Sequence, residues 1–310
     1  MRSLTAPGGR SASTAHDAGS DTASGNASGP GPGRRVWGLA GLITMIGLAI
    51  PGAWLIVHAG IPGNGPNGQA PLTTPTGTVT VTQPVTSLSV ESYGAPIQVT
   101  ARPVHRVTVT EAVSYDPGAG AAPEVTAAVS HGRLTLAAPA CATSDCSVGF
   151  TVIVPSGVAV TAESDNGPVT VSGTADTDLD SGGGQVTATR IDGLLTVTSE
   201  NGNVVVNGQA GQPGGGAAGG SRPGSGAILN KVMVMTGGGN ARLTFTSAPA
   251  NVNVSTSNGS ATLAMPGGPY NVTADSGGGP PPYVGVPISA SARRSITVST
   301  QGGALSIERN

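Results

Sequence analysis

The sequence predicts an all-β, repetitive β-solenoid-like domain (β-helix or β-roll) carried behind a single transmembrane helix and a disordered N-terminal tail. Three observations predict it. From Thr78 onward short runs alternate Val with Thr or Ser, as in Val79-Thr80-Val81-Thr82, Val107-Thr108-Val109-Thr110 and Thr151-Val152-Ile153-Val154, which is the period of a half-buried strand. A strand–turn–strand unit with a Ser/Asn/Gly turn recurs along the same region. One stretch of 24 residues, 36–59, carries no formal charge with His58 neutral, and about 20 apolar residues suffice to cross a bilayer.

Composition frames the elements. The 310 residues include 50 Gly and 25 Pro, with 10% charged and 3% aromatic residues but 37% hydrophobic ones. Glycine and proline at that level signal disorder in part of a chain, whereas so large an apolar fraction is incompatible with disorder throughout. The net charge of −2 excludes the clustered Lys and Arg that nucleic acid requires, so no nucleic-acid partner is expected. Both tryptophans, Trp37 and Trp54, precede residue 60, which leaves few rings for base stacking beyond it.

Residues 1–35 are rich in Ser, Gly, Ala, Pro and Thr. They cannot bury enough surface to offset ordering entropy and are expected to be a disordered cytoplasmic tail. Val36 to Ala59 then reads VWGLAGLITMIGLAIPGAWLIVHA. Arg34 and Arg35 flank it on one side and the next basic residue is Arg102, so the positive-inside rule places the N-terminus in the cytoplasm and the remainder outside the cell membrane. Trp37 and Trp54 sit toward the two ends, where interfacial anchors belong. The lipid bilayer is thus an expected partner of residues 36–59. A cleaved signal peptide is the alternative, with Val57-His58-Ala59 as the small-residue site, although the apolar run is longer and starts later than such peptides do. Residues 60–77 form a flexible Gly/Pro/Asn linker.

The domain at 78–310 is where the repeat lies. Val160-TAESDNG-Pro168-Val-Thr-Val171, Leu195-TVTSENG-Asn203-Val-Val-Val206 and Val252-NVSTSNG-Ser260-Ala-Thr-Leu263 are close copies. Val234-MTGGG-Asn240-Ala-Arg-Leu243 and Ile296-TVSTQGG-Ala304-Leu-Ser-Ile307 are looser ones. Turn glycines at 167, 184, 202, 239, 259, 278 and 303 give steps of 17, 18, 37, 20, 19 and 25. The step of 37 is near two periods and contains a Gly-rich insert at about 209–226. Asn-Gly and Gly-Gly supply the positive φ of a tight turn, and stacked units can share a core that one unit cannot form alone. The competing arrangement is a β-sandwich or meander with similar hairpins.

Two cysteines occur, Cys141 and Cys146. On the exported side of a membrane such a pair is expected to form a local disulfide just before the strand Phe150–Val154. A metal site would need more ligands, and a redox pair would need C-x-x-C on a βαβ unit.

The passage Cys146-Ser-Val-Gly-Phe150-Thr-Val-Ile-Val-Pro155-Ser-Gly-Val158, followed by strand–Ser/Asn-Gly–strand units, resembles the bacterial "putative adhesin" family, β-strand-repeat domains of uncharacterised function in envelope proteins. The resemblance covers residues 78–310. It implies an all-β repeat fold at the cell surface, often in actinobacteria-like high-GC organisms, with which one Lys against thirteen Arg is compatible. It supplies no catalytic residues.

No catalytic, cofactor-binding or metal-binding residue is assigned, and no cofactor is expected. His16, His58, His105 and His131 stand in no Ser/His/Asp or metal-ligand pattern. Asp176, Asp178 and Asp180 before Gly182-Gly183-Gly184 alternate as calcium ligands of a β-roll do, or they mark a solvated strand that resists edge pairing. The expected function is a non-catalytic, single-pass surface protein that acts as an adhesin or envelope interaction module, with a cell-envelope or surface partner. The alternatives are an envelope sensor signalling through the helix to a cytoplasmic partner, and a polysaccharide-acting β-helix enzyme.

Overall fold

Alternate Val, Ile and Thr residues favour extended backbone, because branching at Cβ crowds a helix but suits a pleat. A computed structural model describes residues 76–116, 122–138, 146–208 and 229–310. The tail 1–35, the span 36–59 with Arg34, Arg35, Trp37 and Trp54, the linker up to residue 75, Cys141 and the insert 209–226 lie outside the described residues. Among the described residues no helix is long and apolar enough to cross a membrane.

The described chain is all-β. It opens with β1 (Thr76–Val81), β2 (Ser87–Ser92), β3 (Ile97–Arg102), β4 (Val107–Ser114), β5 (Thr126–Ser130), β6 (Arg133–Ala137) and β7 (Ser147–Pro155). The regular part follows as β8 (Ala159–Ser164), β9 (Val169–Ser172), β10 (Thr177–Ser181), β11 (Val186–Thr189), β12 (Leu194–Ser199), β13 (Val204–Gly208), β14 (Lys231–Thr236), β15 (Ala241–Phe245), β16 (Asn251–Thr256) and β17 (Ala261–Met265). It closes with β18 (Asn271–Asp275), β19 (Tyr283–Val284), β20 (Ser295–Thr300) and β21 (Leu305–Arg309).

These strands form two sheets. The eleven-stranded sheet has the order β1-β4-β7-β3-β9-β11-β13-β15-β17-β21-β19, and the ten-stranded sheet β18-β20-β16-β14-β12-β10-β8-β2-β6-β5. From β8 to β17 the chain alternates between sheets, and each strand pairs in parallel with the one two places on. Register is constant through the array. Val160, Thr177, Leu195, Val232, Val252 and Ile296 occupy one column across β8, β10, β12, β14, β16 and β20. Antiparallel pairing is confined to the N-terminal end, at β1/β4, β4/β7 and β5/β6.

Spatial order departs from chain order at both ends. β2 and β3 lie between the β8/β9 pair and the β6/β7 pair, although β6 and β7 come later in the chain. Likewise β20 sits between β16 and β18, and β21 between β17 and β19. Two steps read from glycine spacing change accordingly. The step of 37 is a single one, because β13 and β15 are direct neighbours. The step of 19 between Gly259 and Gly278 joins no neighbours, because the β20/β21 unit lies between β16/β17 and β18/β19 and its Gly303 turn stacks on that of Gly259.

The inner faces of both sheets contribute to one hydrophobic cluster of mainly Val, Leu, Ile and Ala, with Phe150, Phe245 and Tyr270 as its buried rings. Gly208 stands in register with Phe245, and a Cβ there would overlap the Phe245 ring and Leu229. A missing side chain on one strand makes room for an aromatic ring on the next, which keeps this thin core filled.

Candidate interaction faces

The turns that carry the chain from the ten-stranded to the eleven-stranded sheet share one construction. Seven of the ten strands of the former, β2, β8, β10, β12, β14, β16 and β20, end on a buried hydroxyl: Ser92, Ser164, Ser181, Ser199, Thr236, Thr256 or Thr300. The hydroxyls donate three residues ahead, Ser181 to the Gly184 carbonyl at 3.1 Å, Ser199 to Gly202 at 3.0 Å, Thr236 to Gly239 at 2.7 Å, Thr256 to Gly259 at 2.5 Å and Thr300 to Gly303 at 2.8 Å. At Ser164 the hydroxyl instead accepts from the Gly167 amide at 2.9 Å. A buried hydroxyl is tolerated because it is paired, and the pair fixes the turn.

The glycines that follow form a column. A Cβ on Gly184 would overlap the carbonyl of Gly167, one on Gly202 that of Gly184, one on Gly239 that of Gly202, one on Gly259 that of Gly239, and one on Gly303 that of Gly259. None of these glycines has positive φ; that conformation belongs to Gly94, Gly132, Gly157, Gly173, Gly193, Gly268 and Gly277. Close stacking of successive turns, and not left-handed backbone, therefore requires glycine in this column. Backbone bonds run between the turns as well, Asn201 donating to Gly182 at 2.9 Å and Asn258 to Gly237 at 2.9 Å. Beside them an amide row forms, in which Asn203 Oδ1 accepts from the Asn240 amide at 2.9 Å and Asn240 Oδ1 from that of Ser260 at 2.8 Å.

With turns and core occupied by structure, the outward faces carry what remains. On the eleven-stranded sheet, positions that alternate with buried ones are Thr78 and Thr80, Thr108 and Thr110, Gln98 and Thr100, Thr170 and Ser172, Thr187 and Thr189, Val205 and Asn207, Arg242 and Thr244, and Thr262 and Ala264. Hydroxyl and amide groups predominate on this face, about 4.8 Å apart between strands and about 6.7 Å apart along them, and Ile153 of β7, Val205, Arg242 and Ala264 interrupt them. Thr189, Arg190, Asn207, Thr244 and Thr246 line a shallow depression on it. Arg190 holds φ 54° there and donates from Nη2 to Ser172 Oγ at 2.8 Å.

The outward face of the ten-stranded sheet is acidic at its N-terminal half. Glu91, Glu163 and Asp180 are in register on β2, β8 and β10. Burial raises the Glu163 carboxyl above the ordinary range, and Glu91, Asp180 and Asp165 add to the rise. Asp180 is raised by burial and then by Asp178, Glu200 and Asp165, against a lowering hydrogen bond from the Ser181 backbone. Like charges opposite one another across strands oppose folding, so this row is an electrostatic cost the sheet carries. Asp192, in the connection between β11 and β12, is also raised by burial, and among the described residues its buried Oδ1 has no hydrogen-bond partner.

The residues singled out from sequence are dispersed. Asp178 and Asp180 face outward, while Asp176 Oδ1 accepts the Leu194 amide at 2.8 Å. Among the described residues no group of three or more His, Cys, Asp or Glu side chains is placed to hold a metal ion. His105 and His131 are exposed, with Ser130 Oγ 2.9 Å from His131 Nδ1. Cys146 is partly buried immediately before β7, whereas Cys141, and with it the expected pairing, lies outside the described residues. The hydroxyl ladder and the glycine column went unrecognised in the sequence as structural columns, although the pattern Ser/Thr-x-x-Gly was there to find them.

No family model matches the chain, and no curated protein matches it. Among solved structures it is similar to a "putative adhesin" of Parabacteroides distasonis at 17% identity and a TM-score of 0.43, covering 76% of this chain and 98% of that one. A "putative adhesin" of Bacteroides fragilis aligns at 14% identity and a TM-score of 0.38, covering 76% and 97%. A "putative cell adhesion protein" of Clostridium sporogenes aligns at 11% identity and 0.32, covering 77% and 100%. Identities and scores of this size say nothing of function.

Proposed function

We propose that this protein is a non-catalytic adhesive or envelope-interaction module, built as a two-sided β-solenoid and held at the cell surface by the span 36–59. One observation carries the reading, the in-register hydroxyl and amide lattice on the outward face of the eleven-stranded sheet. Such a face binds by many weak, repeated contacts to an extended partner with hydrogen-bonding groups at regular intervals, as a surface polysaccharide has. Constant register in the parallel ladder and alternation of the chain between sheets support the solenoid. The uncharged run after Arg34 and Arg35 supports the anchor. Cys141 and Cys146, the only two cysteines, are proposed to pair on the exported side.

The test is attachment of intact cells displaying the full chain to a polysaccharide-coated surface. Replacing Thr170, Thr187 and Thr189 together by Lys is expected to reduce attachment severalfold while leaving thermal unfolding unchanged. Unchanged attachment overturns the assignment of this face. Protease added to intact cells should digest the β-domain; protection of that domain overturns the exported topology.

A further inference from the structure

The two sheets do not end together. Counting outward from β8 and β9, the strands β2 and β3, then β6 and β7, then β5 and β4 stand at equivalent places in the ten- and eleven-stranded sheets, and β1 is left over. Its positions Gly77, Val79 and Val81 are in register with the buried Glu111, Val109 and Val107 of β4. Val79 and Val81 therefore face the core side, yet both are only partly buried. Val81 packs against the cluster. Beside the outer edge of β5, and across from β1, one strand position is taken by none of the described residues.

We propose that a second copy of this chain fills it. A two-fold axis at the N-terminal end would bring β1 of one copy against β5 of the other, and the same rotation would fill the first copy's vacancy with its partner's overhang. A one-strand overhang beside a one-strand vacancy is self-complementary, which is what an isologous dimer interface requires. The outcome is two continuous sheets across the pair, with the β1 valines of both copies packed between them.

Several features select this occupant. β1 has six residues and β5 five, and neither contains proline or a charged residue. Exposed edges are normally guarded by such residues or by shortness. The opposite end of the molecule shows that protection, since β19 has two residues and follows Pro280-Pro281-Pro282, which offer no amide hydrogens. The chain's own segment before β1 is a poor strand. Residues 60–75 contain Pro62, Pro66, Pro71 and Pro75 and no proline-free run longer than four residues, so their sequence withholds amide hydrogens that the proline-free β1 offers along its length. The inference concerns a different surface from the hydroxyl face and stands without the proposed function.

The experiment measures the mass of the full chain in detergent micelles by light scattering and sedimentation across a concentration series. A dimer is expected. Val79→Lys places a charge in the new core, and Ala128→Pro distorts the β5 edge; each should raise the dissociation constant roughly tenfold or more. Tyr283→Lys, at the other end, should leave it unchanged. Equal far-ultraviolet circular dichroism, with equal thermal midpoints at concentrations low enough that both chains are monomeric, shows that folding of Val79→Lys is intact. A monomer at every concentration, a dimer indifferent to Val79→Lys, or a dimer dissociated by Tyr283→Lys overturns the proposal. So does a monomer that dimerises only when residues 60–75 are replaced by a Gly-Ser linker, because that result assigns the vacancy to the chain's own segment.

Discussion

At Gly202 a single methyl group would occupy the space of the Gly184 carbonyl oxygen. Relieving that overlap means prising one turn from the next, so Gly202→Ala is expected to destabilise the fold by about 3 kcal/mol or more, read from denaturant unfolding. Gly302, which has open space around a built Cβ, is the contrasting site, and Gly302→Ala should cost little. Thr256→Val keeps the shape but removes the donor to the Gly259 carbonyl, a loss of about 1 kcal/mol, whereas Thr256→Ser should be nearly silent. The acidic row predicts a pH dependence. Glu163 and Asp180 hold protons more tightly folded than unfolded. Their contribution is therefore fully present below the unfolded carboxyl pKa near about 4 and is lost as pH rises through the raised folded values. The Glu163→Gln, Asp180→Asn double variant should melt above the unsubstituted protein at neutral pH. The gap should close toward acid; a constant gap would contradict the assignment.

At the scale of elements, the strand periods were legible because one face of each sheet is buried, and alternation is the direct imprint of that burial. Turn positions were legible too, since Ser-x-Asn-Gly stands out from a Val/Thr background. The reason for glycine was not, because steric contact between turns 17 to 44 residues apart leaves the same letter as positive φ does. The tucked ends make a further prediction. β18 pairs only with β20, and β19 only with β21, so removing residues 295–310 strips the terminal strands of their support. Limited proteolysis of that truncation should cut first within 271–294, while the full chain is resistant there. The insert tells the opposite story. β13 and β14 bracket residues 209–230, and equivalent connections such as Gly173–Asp176 need four residues. Replacing 209–228 by a two-residue link, which keeps the buried Leu229 and the backbone bonds of Asn230, should leave stability within about 1 kcal/mol, because loop entropy changes slowly with length.

For the whole molecule, polarity is divided between faces. One sheet shows hydroxyls and amides outward, with Arg190 and Arg242 among them, and the other shows a carboxylate row, while small aliphatic side chains hold the two together. The resulting core is narrow, which is why the described domain manages with few rings and why Phe245 needs Gly208 opposite it. The two proposed interactions use different parts of this body, the broad hydroxyl face for an extended partner and the uneven N-terminal end for a second copy. They separate experimentally, since lysines on Thr170, Thr187 and Thr189 should spare dimerisation and Val79→Lys should leave the hydroxyl face intact.

By itself, the sequence determined the all-β class, the inward and outward assignment of side chains in the regular strands, and the places where turns fall. Each of these is set by local chemistry, through β-branching, alternation and turn residues within a few positions of one another. Only the tertiary structure decided which strands are neighbours. A ladder bond between β20 and β16 stabilises as well as one between consecutive strands, so nothing local announces that β18 lies outside β20 or that β3 lies between β7 and β9. The hydroxyl lattice and the acidic row are consequences of that neighbour order, because residues distant in the chain become a surface only once register aligns them. The extra strand β1 likewise exists as an overhang only by comparison with the sheet across the core.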